Sequence, residues 1–244
     1  MTTSAVRAAT TEEQSEAESV ILLAFMADPM ARWSLGRAER YLAVMPQLVR
    51  AFGGRAFAAG TADVVEGFGG AALWLPPGIE PDVERLGAIM EEHAEPSVLP
   101  DAMRVFEEMD RFHPKSPLWY LPLIGVDPVA QNQGHGSALL TYGLARSDGD
   151  GLPAYLESSN PRNITLYQRH GFEILGTIQI GSSPRLVPML RQPRPAPQTR
   201  RRPAGTGAGA AGAGADAART GAGASSASAR LPNSALAEAV ARTR

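Results

Sequence analysis

The spacing of apolar residues predicts a domain in which helices and strands are mixed. Val20, Leu23, Ala24 and Ala27 recur at helical spacing and predict an amphipathic helix. We expect this helix to end at Asp28, because the residue before a proline disfavours the α region. The remaining predicted elements are a strand at 6–10, a helix at 37–52, strands at 55–60 and 67–76, two helices within 81–111, a strand at 118–126, a helix from Gly134, a strand at 152–158, a helix at 163–170, and a hairpin of strands at 172–180 and 185–190.

The segment 118–157 has the order strand, glycine-rich turn, helix, strand. A crossover of this kind places its two outer strands parallel to each other. Pro122 interrupts the first of these strands, and proline has no N–H to donate to a sheet. We therefore expect Pro122 to lie at a bulge or at a splayed edge.

Composition changes abruptly near Arg191. The following residues are almost entirely Pro, Gly, Ala, Ser and Arg, and such a segment buries too little surface to offset its chain entropy. The sequence thus predicts a folded domain at 1–191 and a disordered tail at 192–244, in which a short helix near the end would be marginal.

Charge and composition exclude several function classes. The net charge of −2 is uneven, since residues 192–244 carry +6 and residues 1–191 therefore carry −8. An acidic domain disfavours nucleic acid and favours a cationic substrate, although it also fits a merely solvated surface. The chain has no cysteine and only four scattered histidines, so we expect no disulfide and no metal. The absence of a signal-peptide pattern and of a long apolar run predicts a cytoplasmic protein with no membrane partner.

The stretch QNQGHGSALL, which begins at Gln131, has the composition of an anion-binding turn. It follows a strand and opens a helix, whose first N–H groups are unpaired and suit a phosphate. Glycine lets an anion approach the backbone closely. The stretch lacks the lysine of a mononucleotide P-loop and the third glycine of a dinucleotide fingerprint. Alone, it is equally compatible with a helix start that binds nothing.

The downstream block NPRNITLYQRHGF decides between these alternatives. Together with the glycine turn and the early AFMADPMAR, it resembles the GNAT superfamily of N-acetyltransferases, and within it puromycin N-acetyltransferase and its relatives. The resemblance covers about residues 5–190. It implies an α/β (α+β) GNAT fold, with a mixed, mostly antiparallel sheet of about six to seven strands flanked by helices and a parallel, splayed pair of strands at the acetyl-CoA site.

The resemblance also implies which residues bind acetyl-CoA. The pyrophosphate would lie on the turn, mainly on backbone N–H groups, while strand residues would pair with the pantetheine arm. Asn163 would contact the pantetheine or adenosine part. The predicted cofactor-binding residues are Ile124, Val126, Gln131, Gln133, Gly134, His135, Gly136, Ser137 and Asn163.

Two residues are the candidates for catalysis. By resemblance, Tyr167 would protonate the departing thiolate as a general acid, although its sequence context also fits a core tyrosine. Glu157 ends a strand across the cleft and would act as the base, act through water or bind the ammonium group; alternatively, it pairs with Arg162. Asp28, Trp33 and Trp74 are candidates for the acceptor pocket, because aromatic faces attract cations.

The resulting hypothesis is direct acetyl transfer from acetyl-CoA to a primary amine of a small molecule, by a monomer or homodimer. Two alternatives stay open at this point. The acceptor could be a protein lysine or N-terminus, or the domain could be a non-catalytic acyl-CoA-binding regulatory module.

Overall fold

A computed structural model describes residues 5–194 of the chain. Seven strands and eight helices occur in this part. The strands are β1 (Val6–Ala8), β2 (Ala62–Val65), β3 (Gly70–Leu75), β4 (Trp119–Val126), β5 (Ala154–Ser158), β6 (Glu173–Ile174) and β7 (Val187–Arg191). The helices are α1 (Gln14–Ala24), α2 (Pro29–Leu35), α3 (Ala38–Gly53), α4 (Arg55–Ala58), α5 (Val83–His93), α6 (Leu99–Phe112), α7 (His135–Asp150) and α8 (Ile164–Arg169).

The strands form one sheet in the order β1-β2-β3-β4-β5-β7-β6. Every pair is antiparallel except β4 and β5, which run parallel and are joined through α7. This confirms the predicted mostly antiparallel sheet and the parallel pair at 118–157. The terminal hairpin is also present, although β6 is only two residues long and β7 lies between β5 and β6.

An irregularity in β4 disturbs the sheet next to this parallel pair. Leu73 of β3 pairs with Leu123 and Leu75 pairs with Tyr120, so β4 has one residue more than β3 between these two positions. Pro122 lies within this extra length, where its missing N–H removes no regular ladder bond. The predicted bulge at Pro122 is confirmed.

Each face of the sheet carries its own apolar cluster. Tyr120, Leu123 and Tyr155 belong to the cluster that contains buried residues of α1, α3 and α5. Trp119, Leu121 and neighbouring residues belong to the other cluster, with α7 and Tyr167. The side chains of β4 alternate between the clusters up to Leu121, and after Pro122 the alternation resumes with the faces exchanged, as expected for a strand with one extra residue.

Two predicted elements were wrong. Residues 55–60 were predicted as a strand, but Arg55–Ala58 forms α4, and the strand is Ala62–Val65. All four residues of β2 are buried, so the strand lacks the alternation that reveals half-buried strands. The helix α2 was missed, because Asp28 before a proline was interpreted as a helix end. Asp28 instead caps the next helix, with Pro29 at its first position.

The predicted disordered tail lies almost wholly outside the described residues. Its first residues, 192–194, are described, and the Arg194 backbone N–H donates to the Asp148 carboxylate at 2.6 Å. Contacts with the domain therefore continue past the predicted boundary at Arg191. Within residues 5–194, no helix has the length and apolar character needed to span a membrane.

Replacing Gly143 by alanine should destabilise the domain. A Cβ at this position in α7 would lie 2.1 Å from Nε1 of Trp74, whose ring is fully buried and cannot move away easily. We expect the free energy of unfolding to fall by about 1–3 kcal/mol, measured by urea denaturation.

Gly149→Ala is the matched control for this variant. Gly149 lies in the same helix, and a Cβ there meets nothing within 4 Å. It should be neutral or stabilise by about 0.5–1 kcal/mol through helix propensity and the unfolded state. Equal effects of the two variants would contradict the close contact with Trp74.

Candidate active site

The central feature of the site is a gap in the sheet between β4 and β5. These strands pair only at Trp119–Ala154 and Tyr120–Tyr155 and then separate. We call this gap, bounded by residues 122–126 and 156–158, the sheet opening. A parallel sheet whose strands diverge exposes backbone edges that would otherwise bond to each other.

Backbone groups of β4 point into the sheet opening. The Asp127 N–H donates to the Gly69 carbonyl at 3.1 Å, so alternate residues of β4 before it bond to β3. The residues between them, Ile124 and Val126, must turn their N–H and C=O groups toward the opposite edge. Within residues 5–194, no strand faces Ile124 or Val126 on that side. An extended ligand chain can therefore add to this edge like a strand.

The glycine turn lies directly after β4 and begins α7. Gly134 has φ of +89° and is the residue before the helix, while Gln131, Gln133 and Gly134 are exposed. The first helical N–H groups have no partners within the helix, and they carry the positive end of its dipole. A Cβ on Gly134 would meet nothing within 4 Å, so the approach to these groups is open.

Three residues of this turn have side-chain environments that the sequence did not reveal. The Ser137 hydroxyl is 2.8 Å from Nε2 of His170, so it is already engaged within the protein. A Cβ on Gly136 would come 3.3 Å from Leu166, which explains a small residue there. The His135 ring lies against Gly69, and its buried Nδ1 has no hydrogen-bond partner among the described residues. At this turn the backbone is better placed than these side chains to meet an anion.

On the β5 side of the sheet opening, Glu157 is held by a tyrosine rather than by an arginine. The Tyr120 hydroxyl donates to Oε2 of Glu157 at 2.8 Å. Tyr155 precedes Glu157 by two positions on the same face of β5 and stacks at a tilt on Tyr120, with ring centroids 5.9 Å apart. His113 contacts both rings edge-on. The predicted alternative, an ion pair of Glu157 with Arg162, is absent from the described residues.

Burial raises the pKa of Glu157 to about 7, even though the hydrogen bond from Tyr120 acts in the opposite direction. The desolvation cost of the charged carboxylate therefore outweighs the stabilisation by this phenol. A carboxyl group with a pKa near neutrality can accept and release a proton at physiological pH.

Asp28 supplies a second buried carboxylate. As the cap of α2, it accepts from the backbone N–H groups of Met30 and Ala31, and the Ser159 hydroxyl donates to its other oxygen at 2.6 Å. Burial raises its pKa above the usual value, against these hydrogen bonds. Ser159 follows Glu157 by two positions, so β5 and the residue after it bring both carboxylates to the same end of the strand.

Tyr167 lies on the other face of the sheet, in α8. It is 5% exposed and packs edge-on against Phe172, with ring centroids 6.0 Å apart. Burial raises the pKa of its phenol, the charge of Asp28 adds to this effect, and Asn163, one turn earlier, opposes it. A phenol that stays protonated is suited to donate a proton or a hydrogen bond.

An apolar cavity of about 140 Å³ adjoins Glu157 and Asp28. Pro122, Tyr120 and Trp33 also line it, and the Trp33 indole donates to the Ser182 hydroxyl at 3.1 Å. Asp28 and Trp33, two of the three candidates for the acceptor pocket, thus line the same cavity.

Trp74 does not belong to this cavity, contrary to the prediction. It is fully buried in the cluster on the opposite face of the sheet, against Gly143 of α7. Its position in β3 decides which face it occupies, and a one-residue difference in strand register reverses that face.

Sequence reasoning missed Tyr120, Ser159 and His170, which hold Glu157, Asp28 and Ser137 respectively. A partial signal existed. Tyr155, Glu157 and Ser159 alternate along β5, which predicts a shared face. The partner on β4 follows only from the register between strands.

A mixed sheet that opens after a bulge, a helix start at its edge and a partly buried carboxyl group beside a cavity form one site, which can take an extended anionic ligand next to a proton acceptor. The comparisons point to a family whose members have such a sheet. Residues 101–174 match the family model for the acetyltransferase (GNAT) domain. Residues 101–174 are thus similar to a GNAT acetyltransferase domain.

Known relatives resemble parts or most of the chain. An uncharacterised N-acetyltransferase of Schizosaccharomyces pombe is 35% identical over 78 residues, which are 31% of this chain and 32% of the relative. A solved structure titled histone acetyltransferase HPA2 and related acetyltransferase, from Corynebacterium glutamicum, is 28% identical with a TM-score of 0.56, covering 79% of this chain and 97% of its own.

A further solved structure, a polyamine N-acetyltransferase of Drosophila melanogaster that forms N-acetylagmatine, is 15% identical with a TM-score of 0.52. It covers 77% of this chain and 99% of its own, and at this identity it supports the fold alone. The chain matches about a third of the curated yeast relative, so the similarity to that protein concerns a segment and not the whole.

Tyr120→Phe should raise the pKa of Glu157 further above about 7, because it removes a hydrogen bond to the charged form. We expect an increase of roughly one pKa unit. It can be measured by NMR pH titration of glutamate side-chain ¹³C signals, with Glu157→Gln used to assign the resonance.

Tyr142→Phe serves as the control, since Tyr142 is partly exposed on α7 and makes no hydrogen bond to Glu157. A Glu157 pKa that does not respond to Tyr120→Phe would show that burial alone sets it.

Proposed function

We propose that the protein is an acetyl-CoA-dependent N-acetyltransferase that transfers an acetyl group to a primary amine of a small molecule. The observation that carries this proposal is the sheet opening. On one side of it, β4 offers unpartnered backbone groups, and on the other side a buried carboxyl group with a pKa of about 7 faces a cavity. An acyl donor and an amine can meet at such a place.

The described residues fit acetyl-CoA. Ile124 and Val126 would pair with the pantetheine arm through their backbone groups, and the turn at residues 131–137 would receive the pyrophosphate on helix N–H groups. Asn163, which interacts with Tyr167 one turn later, would contact the pantetheine or adenosine part. When bound, acetyl-CoA supplies an activated acetyl thioester, and its transfer to an amine forms a C–N bond and breaks the C–S bond.

The residues of the chain would manage the protons of this transfer. Glu157 would accept the proton that the amine must lose, directly or through water, because its pKa of about 7 lies near the pH of a neutral solution. Tyr167 would donate to the sulfur as the thiolate leaves, since burial keeps its phenol protonated. The reaction needs no covalent intermediate on the enzyme, in agreement with a chain that contains no cysteine.

The cavity favours a small molecule over a protein acceptor. A lysine or an N-terminus within a polypeptide brings its flanking chain with it, whereas this cavity has a volume of only about 140 Å³ and is lined by apolar side chains of several helices. The resemblance to puromycin N-acetyltransferase and the cytoplasmic location remain predictions from sequence.

An acceptor panel of aminonucleosides, aminoglycosides, polyamines and peptides would decide the acceptor type, and activity on peptides alone would favour the protein alternative.

Acetyl-CoA should bind with a dissociation constant below millimolar, measured by isothermal titration calorimetry at about 0.1 M salt. Gly134→Asp should weaken binding tenfold or more, because it places a carboxylate beside the proposed pyrophosphate position.

Gly151→Asp is the matched control. Gly151 also has a positive φ and open space around it, but it follows the other end of α7. It should share the backbone strain of the first variant and leave the affinity unchanged. Absence of acetyl-CoA binding to the unmodified protein at millimolar concentration would reject the proposed function.

Tyr167→Phe should lower turnover about tenfold or more while leaving acetyl-CoA affinity nearly unchanged, because only the proton donor is lost. Thiol release under saturating acetyl-CoA, combined with calorimetry, measures both quantities. Phe172→Leu controls for loss of the aromatic contact without loss of the hydroxyl. Unchanged turnover of the tyrosine variant would remove Tyr167 from the mechanism. If the unmodified protein binds acetyl-CoA but releases no thiol with any amine, the domain would be a regulatory module.

A further inference from the structure

The walls of the cavity are predominantly apolar. Most of the residues that line it are apolar, and methionines and phenylalanines contribute much of the surface. Methionine is flexible and makes favourable contacts with aromatic rings, so such a lining adapts to bulky apolar groups. These methionines and phenylalanines of the lining come from α2, α3, α5 and α6. They are Met30, Met45, Phe52, Met90, Phe106 and Met109.

The polar side chains of the lining are few and are already bonded to one another or to the backbone. Tyr120 bonds to Glu157, and Ser159 bonds to Asp28. Ser34, the remaining hydroxyl, donates to the Ala31 carbonyl. Both carboxylates are thus held at the end of β5, while the walls from the helices offer little that could bond to a polar group of a ligand.

None of the described residues that line the cavity is Lys, Arg or His. A carboxylate on the acceptor would therefore meet two carboxyl groups and no cation, which is unfavourable in a partly desolvated site. A second ammonium group at the far end of an acceptor would be buried among methionines and phenylalanines without a partner, which is costly too. The first ammonium group, in contrast, finds Glu157 and Asp28.

We propose that the acceptor is a hydrophobic monoamine: a primary amine on an aromatic or branched apolar body, with no carboxylate and no second cationic group. This inference rests on the proposed acetyltransferase function and specifies its substrate class. The amine end would lie at Glu157 and Asp28, and the apolar body would fill the space between the helices.

Matched amines test the proposal directly. Tryptamine and 2-phenylethylamine have the bodies of tryptophan and phenylalanine without the carboxylate, while putrescine and agmatine carry a second charge on a thin chain. We expect kcat/KM for the two monoamines to exceed that of the amino acids and of the diamines by a hundredfold or more, measured by thiol release with saturating acetyl-CoA.

The outcomes separate the two proposals. Preferred turnover of diamines or amino acids would overturn the substrate class and leave the acetyltransferase function standing. Bound acetyl-CoA with no thiol release from any amine of the panel would overturn both.

A variant that fills the cavity ties the preference to these walls. Ala102 of α6 is buried and lines the cavity, whereas Arg104 is exposed two residues later on the same helix. Ala102→Leu should raise KM for tryptamine tenfold or more and change KM for propylamine little, and Arg104→Leu should change neither.

Should Ala102→Leu lower the melting temperature enough to prevent assay, Met109→Ala provides the opposite change. It enlarges the cavity and should improve kcat/KM for amines with bulkier bodies relative to 2-phenylethylamine. Unaltered selectivity in the assayable variant would show that the acceptor does not occupy this cavity.

Discussion

The separation of β4 from β5 is the constraint on which the site depends. The ladder between them ends at Tyr120 and Tyr155, and the extra length of β4 at Pro122 shifts the register against β3. Beyond this point, the backbone of β4 bonds to β3 on one side only. The free backbone edge of β4 and the carboxylate of Glu157 therefore lie on opposite sides of the sheet opening. In a regular parallel pair, hydrogen bonds between the two strands would have closed this space.

Two carboxylates beside this space are tuned by burial more than by their partners. Glu157 keeps a raised pKa despite the bond from Tyr120, because a phenol is neutral and compensates little of the lost hydration. Glu13, near the surface, shows the contrasting case, since a bond from Arg7 lowers its pKa to about 2. A neutral partner thus holds the geometry of Glu157 and leaves its proton exchangeable near pH 7, which an arginine would have prevented.

Close packing of the helices over the sheet gives the cavity its walls. Gly125 of β4 lets α1 approach, since a Cβ there would lie 2.5 Å from Cβ of Ala24, and Gly53 of α3 meets Leu73 similarly. The helices that cover this face converge on β4 and leave the cavity between them. On the opposite face, Trp74 packs against Gly143 of α7, whereas the cavity lies on the face that the other helices cover.

Much of the fold could be predicted from sequence, because it depends on local signals. The apolar strand 118–126, the glycine turn and the helix after it predicted the parallel crossover, and Pro122 predicted the bulge by its missing N–H. The elements that were wrong had ambiguous local signals: a residue before a proline can end one helix or cap the next, as Asp28 does here, and the wholly buried β2 has no alternation.

The site was predictable only in part. Residues close together in one segment, such as the turn at 131–137, were recognisable from their order along the chain. Sequence by itself determined that a helix start follows a buried strand and that a carboxylate ends the neighbouring one. Only the tertiary structure decided that Tyr120 holds Glu157, that Ser159 holds Asp28 and that Trp74 faces away, because strand register and sheet face are set by contacts between segments far apart in the chain.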